Sequence, residues 1–257
     1  MLKNYISSLC GVCVVGGIGK RLRPFTSKQP KALLPVGIEK KPILEFVINP
    51  WIRFGIKNFV FCTGYKNELI ENYFGNGGNL GIKINYSREK TNLETGGAIK
   101  NAIKNKILGK DAPVLVFYCD DLVRLNPFEL IKMHMAGKKH GFKATLVTTN
   151  KFKTNYGIVE AKLLKSGLKK VMGFKEKPLI EKSANVGIYC FEPDVLELID
   201  RHRSPFKLEK VILPELARRG WLMMHEISWE NWMPVNTDKE YEQVMKINLS
   251  DFYSEVL

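Results

Sequence analysis

Short apolar runs alternate with amphipathic stretches along most of the chain. The first run, Leu9 to Val15 (LCGVCVV), is apolar on successive positions and predicts a buried strand that ends at a glycine pair. Asn58 to Thr63, Lys83 to Tyr86 and Val114 to Cys119 (VLVFYC) read as further strands. Helical spacing marks Ile43 to Phe54, Glu68 to Phe74, Gly97 to Ile107 and Pro127 to Lys139. Pro50 is expected to kink or restart the first of these, and Pro127 suits a first helical turn. Ala144 to Thr149, Ile158 to Ala161, Leu168 to Lys175 and Val186 to Phe191 then read as strands. Val195 to Arg201, Leu208 to Arg218 and Lys239 to Ile247 read as helices.

Such alternation implies a mainly parallel sheet covered by helices on both sides. The strand-rich later part is expected to extend that sheet and form a lobe over its edge. No internal repeat or long linker interrupts the 257 residues, so one domain is expected over 1–257. In open α/β sheets ligands bind at the carboxyl ends of strands. Two strand ends stand out: the glycine-rich, cationic stretch Gly16 to Arg23, and Asp120-Asp121 after VLVFYC.

Charge sharpens this. Lys and Arg total 40 against 26 Asp and Glu, a formal +14, which draws anions without naming them. The bases are dispersed, and no basic stripe interleaved with aromatics marks a nucleic-acid surface, so no nucleic-acid partner is expected. The five cysteines (10, 13, 62, 119 and 190) lie in or beside apolar segments. They read as reduced thiols of a cytoplasmic protein. No run reaches the ~18 apolar residues of a membrane span, and the first apolar run passes straight into a glycine turn with no cleavage-like spacer.

The stretch VVGGIGKRLRPFTSKQPK, Val14 to Lys31, fails both common phosphate-loop patterns. A Walker loop would need glycine at Val14 and Ser or Thr at Arg21; a dinucleotide fingerprint would need glycine at Leu22. The whole run instead resembles the signature of the sugar-1-phosphate nucleotidylyltransferases, G-G-x-G-[TS]-R-L-x-P-x-T-x-x-x-P-K. KKPILEFVI, GIKNFVFCTGY, ELIENYFGNG, ETGGAIKNA, YCDDL, NYGIVE, FKEKP, NVGIYCFEP and LEKVILPEL follow in that family's order.

The resemblance implies a Rossmann-like fold of the nucleotide-diphospho-sugar transferase type. Residues 1–125 would form the nucleotide-binding half and 126–257 the sugar-phosphate half. The chain stops soon after the late turn, so no C-terminal β-helix is expected. The implied reaction joins a nucleoside triphosphate to a sugar 1-phosphate and releases pyrophosphate, with Mg²⁺ as cofactor. Gly16, Gly17 and Gly19 would bring backbone amides to the triphosphate. Arg21 would stabilise the leaving pyrophosphate, and Lys31 the α-phosphate and the attacking phosphate. Asp120 would hold Mg²⁺, with Asp121 at most a helper. Glu89, Thr95, Gly96 and Gly97 fall where the family reads base and sugar ring. Tyr156, Gly157, Glu176, Lys177 and Asn185 resemble its sugar-phosphate site. A homo-oligomer is compatible with the family.

Three positions depart from the pattern. Lys20 replaces a small hydroxyl residue, and Tyr118-Cys119 replaces Asn-Gly before Asp120. In the late turn NWMPVNTDKEY, Pro234 stands where most members place a second metal aspartate. The W-x-P-x-x-T form is similar to the cytidylyltransferase branch, whose aspartate falls at Asn236; this tilts the base to CTP and makes Asn236 the second metal candidate. Asp238 or Glu230 would be a substitute. A second reading follows from the departures: a catalytically weak regulatory subunit of the same fold that binds nucleotide or nucleotide-sugar.

Overall fold

The central strands are apolar on both faces, and both faces are buried. Val12, Val60 and Val116 point into one layer, while their neighbours Cys13, Phe59, Phe61, Leu115 and Phe117 point into the other. The computed structural model describes residues 2–254 of the chain; Met1 and residues 255–257 lie outside them. Seven strands form the main sheet: β1 (Cys10–Val14), β2 (Asn58–Thr63), β3 (Lys83–Arg88), β4 (Val114–Tyr118), β5 (Ala144–Thr149), β6 (Ala184–Phe191) and β7 (Leu222–Ile227). Their spatial order is β7-β5-β6-β4-β1-β2-β3. β6 is antiparallel to both its neighbours, and the remaining pairs are parallel.

Helices Ile43–Phe54, Asn67–Phe74, Pro127–Lys139 and Asp238–Val244 cover the layer of Phe59 and Phe117. Helices Glu94–Lys104, Pro193–Arg201 and Ile212–Arg218 cover the layer of Val12 and Val116. The chain leaves β1 toward β2 and β3, then returns to place β4 on the other side of β1. That reversal leaves a crevice beyond the carboxyl ends of β1 and β4. Both candidate strand ends open into it.

The structure departs from the hydrophobic pattern in four places. Ile43–Phe54 runs as one helix through Pro50, because six apolar neighbours, Ile43, Leu44, Phe46, Val47, Ile48 and Trp51, are buried with it. Leu2–Ser8 is a helix although it buries no residue fully. β7 joins the edge of the sheet from LMMHEI, a half-exposed run with no strict alternation. Ile158–Leu163 and Lys169–Lys175 do not join the main sheet: they pair only with each other, in an exposed antiparallel hairpin bulged at Glu160. Among the described residues no helix is long and apolar enough to cross a membrane.

A polar knot ties the floor of the sheet, opposite the crevice. Glu192, just past β6, is 5% exposed. Its Oε1 accepts from the Tyr5 hydroxyl at 2.7 Å and from His134 Nε2 at 3.1 Å, and its Oε2 faces Lys138 Nζ at 2.7 Å. With its proton on Nε2, the His134 ring accepts from the Thr145 hydroxyl at Nδ1, 2.7 Å away. This is what anchors the Leu2–Ser8 helix. Burial pushes the Glu192 carboxyl up, but bonds from His134, Lys138 and Tyr5 outweigh it and hold the pKa at about 2.

A depressed native pKa means the unfolded chain binds the proton more readily. The stabilisation is complete above the ordinary value of about 4.5 and is lost as pH falls through about 2. Glu192→Gln should therefore cost roughly 2–4 kcal/mol at pH 7. Urea unfolding at pH 7 and pH 3 should show a smaller acid loss in the variant than in wild type; equal losses would remove Glu192 from the acid response.

Candidate active site

The glycine turn after β1 is tight on one side and open on the other. A Cβ on Gly16 would lie 3.0 Å from Glu89 Oε1. Gly19 has φ +65°, and a Cβ there would lie 2.9 Å from Thr26 Cγ2. The Thr26 hydroxyl donates to the Gly19 carbonyl at 2.9 Å and closes the turn. Nothing stands within 4 Å of the position a Cβ on Gly17 would take, so the backbone there faces open space. The turn borders a crevice of about 380 Å³. Gly16, Gly17, Gly19, Arg21, Lys31, Glu89, Asp120 and Asn236 all line it, with Asn92, Glu94, Thr95, Tyr118 and Cys119.

Two cations in the crevice share one neutral oxygen. Asn236 Oδ1 accepts from Arg21 Nη2 at 2.8 Å and from Lys31 Nζ at 3.2 Å. The amide is held from beneath: its Nδ2 donates to Asp121 Oδ1 at 3.0 Å. Asp121 also accepts from the Trp232 indole at 2.9 Å and the Val235 amide at 3.2 Å. Trp232–Pro234 pairs antiparallel with Asp121–Val123, and this ribbon delivers Asn236 to the crevice.

Asp120 is 44% exposed and lies 3.7 Å from the Lys31 ammonium. Burial, and next the Asp120 charge, push the Asp121 carboxyl up to about 7 against the pull of Lys31 and its N–H donors. Burial pushes the Lys31 ammonium down, partly offset by Asp120 and Asp121.

One acid faces this crevice beside open space, and the other is turned into the ribbon. Asp120, paired with Lys31 through Oδ2, offers hard oxygen donors of the kind Mg²⁺ takes once or twice before completing its shell with water and phosphate. Asn236 fits that role poorly here, since its oxygen is occupied by a guanidinium and an ammonium. Neither Asp238 nor Glu230 lines the crevice. Among the described residues no group of three or more His, Cys, Asp or Glu is set to hold a metal.

The other expected residues divide into two sets. Glu89 accepts the Leu93 amide at 3.1 Å, and burial pushes its carboxyl up. Thr95 donates to Glu209 at 3.0 Å and accepts the Leu208 amide at 2.9 Å. Gly96 and Gly97 are buried, and both amides donate to the Phe206 carbonyl rather than opening to the crevice. Glu94, unassigned from sequence, lines the crevice and takes the left-handed region at φ +61°, uncommon for a non-glycine residue.

The sugar-side residues stand apart. Tyr156 is 77% exposed. Gly157 packs beside Phe174 and Glu176 of the hairpin. Glu176 and Lys177 are exposed and face each other at 3.7 Å. Asn185 donates to the Tyr189 hydroxyl at 2.6 Å on a bulge of β6. None of these five lines the crevice.

A mixed sheet with a cationic glycine turn and an acid at its switch point defines the α/β class whose ligands sit at strand carboxyl ends. The chain belongs to the nucleotidyl transferase family, whose profile matches residues 10–248. A mannose-1-phosphate guanyltransferase of Yarrowia lipolytica is 33% identical over 236 residues, 90% of this chain and 61% of that protein. The mannose-1-phosphate guanylyltransferase catalytic subunit beta of Xenopus tropicalis is 31% identical over 89% of this chain and 61% of its own length. The chain thus spans about three-fifths of these relatives. A structure of UDP-glucose pyrophosphorylase complexed with UDP-glucose matches with a TM-score of 0.64 at 18% identity, over 96% of this chain and 98% of that one. A Bacillus anthracis structure described as a glucose-1-phosphate thymidylyltransferase matches at 0.68 and 19%, over 96% and 95%. These two likenesses speak for the fold.

Asp121→Ala should test the ribbon. It strands the Trp232 indole, the Val235 amide and the Asn236 amide at a buried site, so unfolding should become easier by roughly 2–4 kcal/mol. Amide exchange at Val235 and Asn236 should accelerate in the folded state; unchanged exchange and stability would refute the tether.

Proposed function

We propose that the chain transfers a guanylyl group from GTP to a sugar 1-phosphate, with mannose 1-phosphate the first acceptor to consider, and releases pyrophosphate. The observation that carries this reading is the meeting of the open Gly17 backbone, Arg21, Lys31 and Asp120 in one crevice. A phosphate oxygen of the sugar 1-phosphate would attack the α-phosphorus in line as the α–β bridging bond breaks. Positioning and charge neutralisation suffice for such a transfer, with no covalent enzyme intermediate. Arg21 would bind two oxygens of the departing pyrophosphate, and Lys31, less exposed, would face the transferring phosphate. Asp120 is the residue that would hold Mg²⁺, which when bound supplies positive charge to the phosphates.

Glu89 supports guanine. Guanine presents two adjacent donors, N1–H and the N2 amino group, on its pairing edge, and a carboxylate presents two acceptor oxygens. Uracil and thymine present one donor between two acceptors there. The guanylyltransferase relatives weigh the same way, against the CTP tilt of the late turn. The exposed hairpin bearing Tyr156, Glu176 and Lys177 would receive the sugar phosphate when it meets the crevice. The regulatory reading draws on a different observation: Asn236, the second metal candidate, is engaged by Arg21 and Lys31.

Pyrophosphate release decides between them. GTP, CTP, UTP, dTTP and ATP would each be tested with mannose, glucose and N-acetylglucosamine 1-phosphates in the presence of Mg²⁺. Release with GTP and one sugar is expected; GTP binding without turnover on any acceptor would favour the regulatory role. Asp120→Asn should lower turnover roughly tenfold or more while leaving the thermal midpoint in place. Glu89→Gln should weaken GTP binding about tenfold or more, with ATP binding little changed, because the amide replaces one acceptor by a donor.

A further inference from the structure

A second cleft, of about 440 Å³, opens beside the Glu94–Lys104 helix. Lys100, Asn101 and Lys104 of that helix line one wall, and Arg201, His202 and Arg203 line the other, with Leu93 and Ser204. No acidic side chain lines it among the described residues. The nearest acid in sequence, Asp200, has its carboxylate drawn off to Lys110 at 3.0 Å. Lys100 braces the wall by donating to the Asp200 carbonyl and, at 2.6 Å, to the His202 carbonyl. Lys104, Arg201 and Arg203 make no ion pair among the described residues. Three unneutralised cations around one concavity repel one another, and such an arrangement is relieved by an anion. Guanidinium forks opposite lysines match the oxygens of a phosphate group.

This cleft adjoins the crevice at Leu93, whose chain neighbours Asn92 and Glu94 line the crevice. Leu93 lines the cleft, while its amide donates to Glu89 Oε2 at 3.1 Å. Its carbonyl accepts from Phe206 at 3.3 Å, and the Phe206 carbonyl in turn accepts from Gly96 at 2.9 Å and Gly97 at 3.1 Å. Ser204, on the opposite wall, packs within two residues of that clamp, where a Cβ on Gly97 would sit 3.2 Å from its Oγ. The cleft wall and the turn that carries Glu89's partner are therefore one hydrogen-bonded unit.

We propose that this cleft is a second, non-catalytic site for a phosphate group, free or esterified, and that its occupancy shifts affinity for the nucleotide in the crevice. The first half stands whatever triphosphate the crevice takes. Linkage makes the effect reciprocal: a nucleotide that alters the Leu93 turn alters phosphate affinity by the same factor.

The test uses the full chain, with inorganic phosphate as probe at ionic strength held constant with sodium chloride. Calorimetric titrations would compare wild type, Arg21→Ala, and the combined variant Lys104→Gln, Arg201→Gln, Arg203→Gln. Arg21→Ala, altered in the crevice alone, should retain the second site, whereas the combined variant should lose at least tenfold in its affinity. Single Arg203→Gln, expected to lose a smaller share, covers the case in which the combined variant fails to fold. Glucose 6-phosphate in a parallel arm separates sources: tighter binding assigns an ester, weaker binding the free ion. GTP affinity should shift about fivefold more with phosphate in wild type than in the combined variant. Equal phosphate binding in wild type and combined variant, or binding that chloride reproduces, overturns the site. Retained binding without a difference in the GTP shift overturns the link.

Discussion

Two like charges rest on one carbonyl oxygen, and the arrangement of the crevice follows from that. Arg21 enters from the glycine turn, Lys31 from the segment that follows it, and both donate to Asn236 Oδ1. Neither the turn nor the late ribbon holds this geometry alone. Asn236 can stay in place under two cations because Asp121, buried and hydrogen-bonded to the Trp232 indole and the Val235 amide, grips its other end. A neutral amide thus links a buried carboxyl group to two crevice cations that lie more than 200 residues from it in sequence. Removing the link would leave Arg21 and Lys31 to repel each other or collapse onto Asp120, which is 3.7 Å from Lys31 already.

The same ribbon changes what the late turn does. Pro234 stands where the family pattern puts an aspartate, and its cross-strand partner is Asp121. A carboxyl group is therefore present at that end of the ribbon, one strand over and facing inward. Its three N–H donors direct it to holding the turn. Asp120, exposed and adjacent, keeps the crevice side. Consecutive residues leaving a strand point to opposite faces, so a doubled aspartate yields one crevice-facing and one fold-facing side chain.

Much of the fold could be read because burial on both faces of β1, β2 and β4 leaves continuous apolar runs that polar sequence does not mimic. Elements that gain their stability from neighbours were hidden. Leu2–Ser8 holds through the Tyr5 bond to Glu192, and β7 through pairing with β5; neither carries periodicity of its own. At the crevice, Gly16, Gly17, Gly19, Arg21, Lys31 and Asp120 could be picked out beforehand because glycines and charges at close spacing stand out after apolar strands. Asp121 and Asn236 were not legible as a pair, since a contact across 115 residues leaves no local trace. Gly96 and Gly97 have a packing reason that the sequence does not show: a Cβ on Gly96 would run into the Phe206 ring, one on Gly97 would crowd Leu93 and Ser204, and both amides donate to the Phe206 carbonyl.

That last contact is part of a set of bonds that joins the earlier and later parts of the chain. The hairpin with Tyr156, Glu176 and Lys177 is exposed on nearly all its residues and touches the crevice with none of them. The 204–209 segment does the opposite: it is short, partly buried, and bonded to the 93–97 turn through Phe206, Leu208 and Glu209. These bonds tie the 93–97 turn to the later part of the chain independently of the hairpin. Glu94, held at φ +61° in that turn and 3.6 Å from Lys207, marks where local backbone preference has yielded to this connection.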